Sequence, residues 1–312
     1  MTIPLVSISC ITYNHASYIR ECLEGFLMQK TNFPFEILIH DDASTDGTAD
    51  IIREYEVKYP DLIKPILREK NLYSQGIRSI DQFNYERAQG KYIALCEGDD
   101  FWTDPNKLQI QFDFMESHPD YSLCMHGRYN LNYFNKRYYP DPFADIPDNG
   151  RECAYQLVHG MYMSFTQTFF FRKKSYDFIA VDVYRDCKNA PMGDFQLVFH
   201  LSAVGNVKYI RRRMATYRQA PGSATYDTNG IRQSLVTNAG KAIHAMLINS
   251  GHADWAKERE LIYRKTELSL PNKKRNVFQV LRFWVGKVHF SLFKLRGKIK
   301  FWLYMKKHYI GK

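Results

Sequence analysis

Short apolar runs alternate with stretches of helical period along the first part of the chain. Residues 4–13 run apolar through Leu5, Val6, Ile8 and Ile11 and read as a buried strand. Ile19, Cys22, Leu23, Phe26 and Leu27 then fall on one helical face. Residues 35–40 form a second apolar run that ends in Asp41-Asp42, and a helix over 49–58 turns Ile51, Ile52 and Tyr55 inward. A third strand at 62–67 is weakened by Pro65. A helix near 77–89 is expected to stop at Gly90 as its C-cap. The fourth strand, 92–96, runs into Glu97-Gly98-Asp99-Asp100. Asp104-Pro105 predicts a helix to about Ser117, with Asp104 as N-cap and Pro105 in its first position.

This order, strand and helix in turn, predicts an α/β fold with a mostly parallel central sheet and helices on both faces. Ligands of such sheets bind beyond the carboxyl ends of the strands. Three polar clusters fall there: Thr12-Tyr13-Asn14, Asp41-Asp42 and Glu97 to Asp100. Farther on, the pattern predicts a strand at 121–126, an irregular Tyr-, Pro- and Asp-rich segment over 128–163, and a strand at 168–171. A helix opening at Gly193-Asp194, a short strand at 207–210 and helical sequence over 229–268 complete the reading. The Tyr-rich stretch at 129–139 suits either sugar stacking or ordinary packing.

Charge changes the picture at one end only. Residues 271–312 carry 12 Lys and Arg and no Asp or Glu, leaving 31 cations against 33 anions in the rest. The body is therefore nearly neutral, which argues against a nucleic-acid-binding protein. The tail mixes its cations with Phe and Trp every few residues, so it cannot span a bilayer but suits an anionic membrane surface. The six cysteines show no CxxC pair and sit partly in apolar runs, as expected of buried free thiols in a reducing compartment. With no signal-like N-terminus and no long apolar stretch, the chain reads as cytoplasmic, peripheral at the membrane face. His15, His40, His126, His159 and His200 show no ligand-like pairing and read as satisfied histidines.

No GxGxxG and no GxxxxGK[ST] is present, so neither glycine-rich phosphate cradle is available. Paired carboxylates holding a hard divalent cation are another way to bind a diphosphate, and Asp99-Asp100 suit that task. The competing role, capping the next helix, falls better to Asp104.

These motifs together resemble family 2 glycosyltransferases, whose fold is called GT-A. Val6 to Asn14 is similar to their opening strand, Glu36 to Thr48 to their nucleotide-binding strand and turn, and Ala88 to Asp100 to their acidic signature. The resemblance covers about residues 4–117, with weaker echoes to about 225. It implies that Thr12, Tyr13 and Asn14 line the nucleoside pocket, with Asp42 accepting a hydrogen bond from the base and Asp41 supporting that loop. An Asp facing a ring N–H favours a UDP-sugar. Asp99 and Asp100 would bind Mg²⁺ or Mn²⁺ bridging the donor diphosphate, with Asp99 also on the nucleotide side and Glu97 in the first acidic position, where Asp is commoner. Asp194 would be the base that deprotonates the acceptor hydroxyl, and it also suits an N-cap. Tyr217 to Ser223 resembles the loop that closes over the donor, which adds Gly222 and Ser223. Ala220 stands where many relatives carry a metal-ligating His. Gln167 and Thr168 face either the acceptor or the sheet.

The implied organisation is a GT-A catalytic domain over 1–225, split into a nucleotide-sugar half (1–117) and an acceptor half (118–225), then a helical extension (226–270) and the basic tail (271–312). The implied activity is inverting transfer from a nucleotide-diphosphate sugar to a glycan or lipid-linked acceptor, as in polysaccharide or lipopolysaccharide biosynthesis. Two rivals are a sugar nucleotidyltransferase, which would release pyrophosphate, and a non-catalytic membrane-binding module, which would not need the acidic residues.

Overall fold

Strand β1 (Val6–Thr12) is buried along almost its whole length, as an apolar run in the middle of a parallel sheet should be. The computed structural model describes residues 3–77, 82–132, 134–140, 165–179 and 193–219, with single positions at 148, 150 and 153. Parallel to β1 lie β2 (Phe35–Asp41) on one side and β4 (Tyr92–Leu95) on the other, and β3 (Ile63–Leu67) pairs with β2 at the sheet edge. Pro65 is tolerated in β3 because an edge strand can spare one donor. Helices α1 (Ile19–Leu27) and α2 (Thr48–Lys58) follow β1 and β2 as expected. Ile19, Cys22, Leu23 and Phe26 are fully buried and join Ile8, Ile37, Ile39 and Ile52 in one core.

The sheet continues through β8 (Phe170–Arg172), β6 (Tyr121–Asn132), β9 (Asn206–Gln219) and β5 (Phe101–Trp102), with β7 (Tyr138–Pro140) paired to β6. β8, β5 and β7 run against their neighbours, whereas β6 and β9 are parallel to each other. The sheet is thus mixed but mostly parallel.

Several expected boundaries move. The helix near 77–89 is described only as α3 (Gln82–Arg87), and Gly90 is not its C-cap. Gly90 instead lies against β1: a Cβ there would stand 2.5 Å from the Ser7 nitrogen and 2.7 Å from the Val6 carbonyl carbon. Its own N–H donates to Ser7 Oγ, 2.9 Å away, and that hydroxyl donates to the buried Glu36 carboxylate (2.7 Å). Gly90→Ala is therefore expected to destabilise the fold by roughly 1–3 kcal/mol, because backbone on both sides must move. Denaturant unfolding checks this, and an unchanged midpoint would show that the strand yields without cost.

Asp104 and Pro105 precede α4 (Lys107–Ser117) instead of opening it. Asp104 spends one oxygen on the Asn106 N–H (3.0 Å) and the other on the Arg212 guanidinium, so it braces the turn before the helix. Residues 166–168 form a 3₁₀ turn, and the strand begins only at Phe170. A further helix, α5 (Lys173–Ile179), follows β8, and α6 (Gly193–Val204) runs into β9. β6 and β9 extend well beyond the expected short strands and pair over most of their length with bulges near Gly127. Cys10, Cys22, Cys96, Cys124 and Cys153 are free and buried, as read; Cys187 lies outside the described residues. Among the described residues no helix is long and apolar enough to cross a membrane. The extension over 226–270 and the tail over 271–312 lie outside them.

Candidate active site

The carboxyl ends of β1, β2 and β4 bring the three polar clusters into contact, with Thr12 to His15 in the centre. The Asp42 N–H donates to the Thr12 carbonyl (3.0 Å), and the Gly98 N–H donates to the Ile11 carbonyl (3.0 Å). Asn14 takes a left-handed conformation (φ 55°) that lets its N–H reach Ser44 Oγ (2.8 Å) while its side-chain oxygen accepts from the Thr45 N–H (2.8 Å). Ala43 also has positive φ (63°), an uncommon conformation for a residue with a Cβ, so this loop holds backbone strain beside the site. Gly47 holds the N-cap position of α2, and Asp46 just before it satisfies the first N–H of the helix. The Asp46 carboxylate accepts from the Thr48 N–H (3.0 Å) and the Ala16 N–H (2.9 Å), sewing the first loop to the second. Burial works against the charge of Asp46, but these hydrogen bonds hold its pKa below the usual carboxylate range.

Asp41 and Asp42 divide their work. Asp41 is buried and accepts from the Ser44 N–H (3.0 Å) and hydroxyl. Burial raises its pKa although the Ser44 bonds oppose the shift. Asp41 thereby ties the start of this loop to Ser44. Asp42 accepts from the Leu72 N–H (2.7 Å) and the Tyr73 N–H (3.1 Å), and so fastens the turn that follows β3. An ionised carboxylate offers about four lone-pair sites, so two remain for a ligand. Tyr13 is 46% exposed beside this turn's partner strand, a ring available for stacking, whereas Thr12 is buried.

The acidic loop is built around Gly98. A Cβ there would stand 2.7 Å from Thr12 Oγ1 and 3.0 Å from His15 Nδ1, so only glycine lets the loop lie this close to β1. Asp100 is 1% exposed, and burial together with the neighbouring Asp99 charge drives its pKa well above the usual range. One Asp100 oxygen accepts from the Arg218 N–H (2.7 Å), while Arg218 Nε donates to the Asp99 carbonyl (2.8 Å) and its Nη2 pairs with Glu21 at 2.5 Å. The same guanidinium lies over Tyr18 and Phe101. The motif from Tyr217 to Ser223 assigns Arg218 no role; its place two residues from Ala220, at the end of β9, is the only mark it carries in the sequence. Glu97 lends its backbone carbonyl to the Asp100 N–H (3.0 Å).

Asp99 Oδ1, Thr12 Oγ1 and His15 Nδ1 are buried without a hydrogen-bond partner. His15 is therefore not the satisfied histidine expected from the sequence. Buried polar atoms of this kind mark a place for something that completes them. Mg²⁺ and Mn²⁺ prefer oxygen donors, and Mg²⁺ commonly takes only one or two protein carboxylates alongside phosphate oxygens, so the Asp99-Asp100 pair fits such an ion. Among the described residues no three His, Cys, Asp or Glu side chains close on one point.

Gln167 is fully buried in the 3₁₀ turn, and both atoms of its amide lack partners, whereas its backbone carbonyl accepts from Trp102 Nε1 (3.0 Å). Thr168 donates its hydroxyl to the Phe165 carbonyl (2.8 Å) and holds the turn. Arg128, buried in β6, stacks on Phe165 at 3.1 Å and counters part of the Asp100 shift. Nothing in its sequence context marked it. Asp194 lies half-buried in the first turn of α6. Gly205 alone joins α6 to β9, and Ser122 Oγ at the start of β6 donates to the Leu201 carbonyl (2.6 Å). The helix therefore runs back along the strands, and its first turn faces their carboxyl ends. Gly222 and Ser223 lie outside the described residues.

Two solved structures share this fold. Staphylococcus aureus TarS in complex with UDP-GlcNAc superposes with a TM-score of 0.63 at 18% identity, over 94% of this chain and 78% of that one. The Pyrobaculum calidifontis mannosyltransferase PcManGT, in complex with GDP-Man and Mn²⁺, superposes with a TM-score of 0.56 at 15% identity, over 100% of this chain and 89% of that one. In sequence, the chain is 38% identical over 112 residues to the putative teichuronic acid biosynthesis glycosyltransferase TuaG of Bacillus subtilis, 36% of this chain and 42% of that protein. The chain spans less than half the length of the curated relatives it matches. The family described as Glycosyl transferase family 2 matches residues 7–179, more than half of the chain, and to that family the chain belongs.

Proposed function

We propose that this protein transfers a sugar from a nucleoside-diphosphate donor, UDP-linked by preference, to a hydroxyl of a glycan or lipid-linked acceptor, with inversion. The observation that carries the reading is the interlocked set of three loops at the carboxyl ends of β1, β2 and β4, with buried, unpartnered oxygens of Thr12 and Asp99 at its centre. Tyr13 and Asp42 would receive the base, and Asp99 and Asp100 would hold Mg²⁺ or Mn²⁺. That ion, when bound, would offset charge on the departing diphosphate. The acceptor oxygen attacks the anomeric carbon opposite the diphosphate, whose bond breaks with its electron pair. The acceptor proton passes to the Asp194 carboxylate. Gln167 would reach the acceptor with its amide, and Gly222 and Ser223 would close over the donor. A relative that carries the name of a putative teichuronic acid biosynthesis glycosyltransferase, and nucleotide sugars bound to proteins of this fold, support a role in polysaccharide assembly. The basic tail over 271–312 would hold the protein at an anionic, cytoplasmic membrane face near a lipid-linked acceptor.

A panel of nucleotide sugars tests the reading, scored by thermal stabilisation and by the nucleotide released on turnover. Release of UDP with net sugar transfer is expected. Release of pyrophosphate would move the protein to the nucleotidyltransferases, and no stabilisation by any donor would leave only the membrane-binding reading.

Asp42→Ala is expected to weaken UDP binding at least about tenfold, or ~1.4 kcal/mol. It removes an acceptor for the base and releases the turn at Leu72 and Tyr73. Calorimetry with UDP alone checks this; an unchanged affinity would confine Asp42 to holding the turn.

A further inference from the structure

We propose that His15 is a nitrogen ligand of the metal ion, acting with Asp99, and that the site therefore prefers Mn²⁺ over Mg²⁺. The inference rests on the metal-assisted donor reading above.

His15 Nε2 stands 4.0 Å from Asp99 Oδ2. That gap is too long for a hydrogen bond. Two coordinate bonds of about 2.1 Å, however, span donors up to roughly 4.2 Å apart. The opposite atom of each group, His15 Nδ1 and Asp99 Oδ1, is buried without a partner, so neither side chain is spent on a hydrogen bond within the protein. Thr12, 4% exposed, adds a third unpartnered atom, Oγ1, against the same face of Gly98.

The backbone keeps the ring there. The His15 N–H donates to Thr48 Oγ1 (2.8 Å), and its carbonyl accepts from the Tyr18 and Ile19 N–H groups, both at 2.8 Å, which opens α1. Tyr18 lies edge-on to the imidazole, with centroids 6.3 Å apart. His15 is thus fixed by the second loop on one side and by a helix on the other. His15 and Asp99 would each supply one donor and leave the rest of the shell to Asp100, water and diphosphate oxygens. Imidazole raises affinity along the transition-metal series, whereas Mg²⁺ gains little from it.

The test uses the full chain with UDP and Mn²⁺. Electron spin-echo spectroscopy of bound Mn²⁺ should show nitrogen coupling from a directly bound imidazole, and His15→Ala should abolish it. Calorimetry should show Mn²⁺ affinity falling at least about tenfold in His15→Ala and in the bulkier His15→Gln, with Mg²⁺ affinity falling less and metal-free UDP affinity within twofold of wild type. Manganese bound without nitrogen coupling, or bound equally well by both variants, would overturn the role of His15 and leave the Asp99-Asp100 site standing. Failure of the wild type to bind Mn²⁺ in the presence of UDP would overturn both.

Discussion

Asp194→Asn is expected to reduce sugar transfer by about 10²–10⁴-fold while leaving UDP affinity within experimental error, the usual scale of a lost general base. Asn has the shape of Asp but cannot take the proton of the acceptor hydroxyl. Asp194 lies in the first turn of α6, the helix that leads into β9. Helix stability should change by less than about 1 kcal/mol, because Asp194 sits in the first turn and not at the N-cap, and Asn forfeits only its charge interaction with the helix dipole. Single-turnover transfer rates and calorimetry on the same preparation check both halves of the expectation. Transfer near the wild-type rate in a folded variant would place the base elsewhere.

Asp100→Asn should have opposite effects on binding and on stability. The buried carboxylate is opposed by desolvation and by the adjacent Asp99 charge, which together raise its pKa well above the usual range. A neutral amide removes both penalties and still offers an oxygen to the Arg218 N–H. Stability in the metal-free protein should therefore rise, on the order of 1 kcal/mol, as often happens when a functional site loses its strained charge. The sign with pH follows from the raised pKa. Wild type gives up stability as pH rises through the range in which Asp100 would ionise, and the variant lacks that loss. Metal-dependent donor binding should disappear at the same time. Thermal unfolding across pH and calorimetry with Mn²⁺ and UDP measure the two effects. A variant that is less stable without metal, or that keeps metal-dependent binding, would show Asp100 to be a structural residue.

The region of β1 to β4 was legible because its elements obey local rules. β1, β2 and β4 are continuous apolar runs, α1 and α2 carry clean helical faces, and the polar clusters sit where such strands end. What escaped was set by contacts distant in sequence. Asp104 and Pro105 look like a helix start, yet Arg212 claims one Asp104 oxygen and delays α4 by two residues. Gly90 looks like a cap, yet its need is close approach to a strand 83 residues earlier. Arg211 to Arg213 interrupt the apolar pattern of β9, so only its first residues read as a strand, although pairing with β6 carries it on to Gln219. His15 carries no local mark at all, since its meaning comes from Asp99 across the loop.

The clasp that Arg218 makes on the acidic loop also orders events during synthesis. Asp100 and Arg218 are 118 residues apart. At about 5–20 residues per second, a ribosome takes roughly 6–24 s to deliver the second after the first. For that interval the nascent chain can form β1 to β4, whose pairings are already complete. Its two adjacent carboxylates have no clasp until β9 emerges and threads in between β6 and β5. The candidate site is thus completed only when β9 arrives, although its acidic loop is made 118 residues earlier.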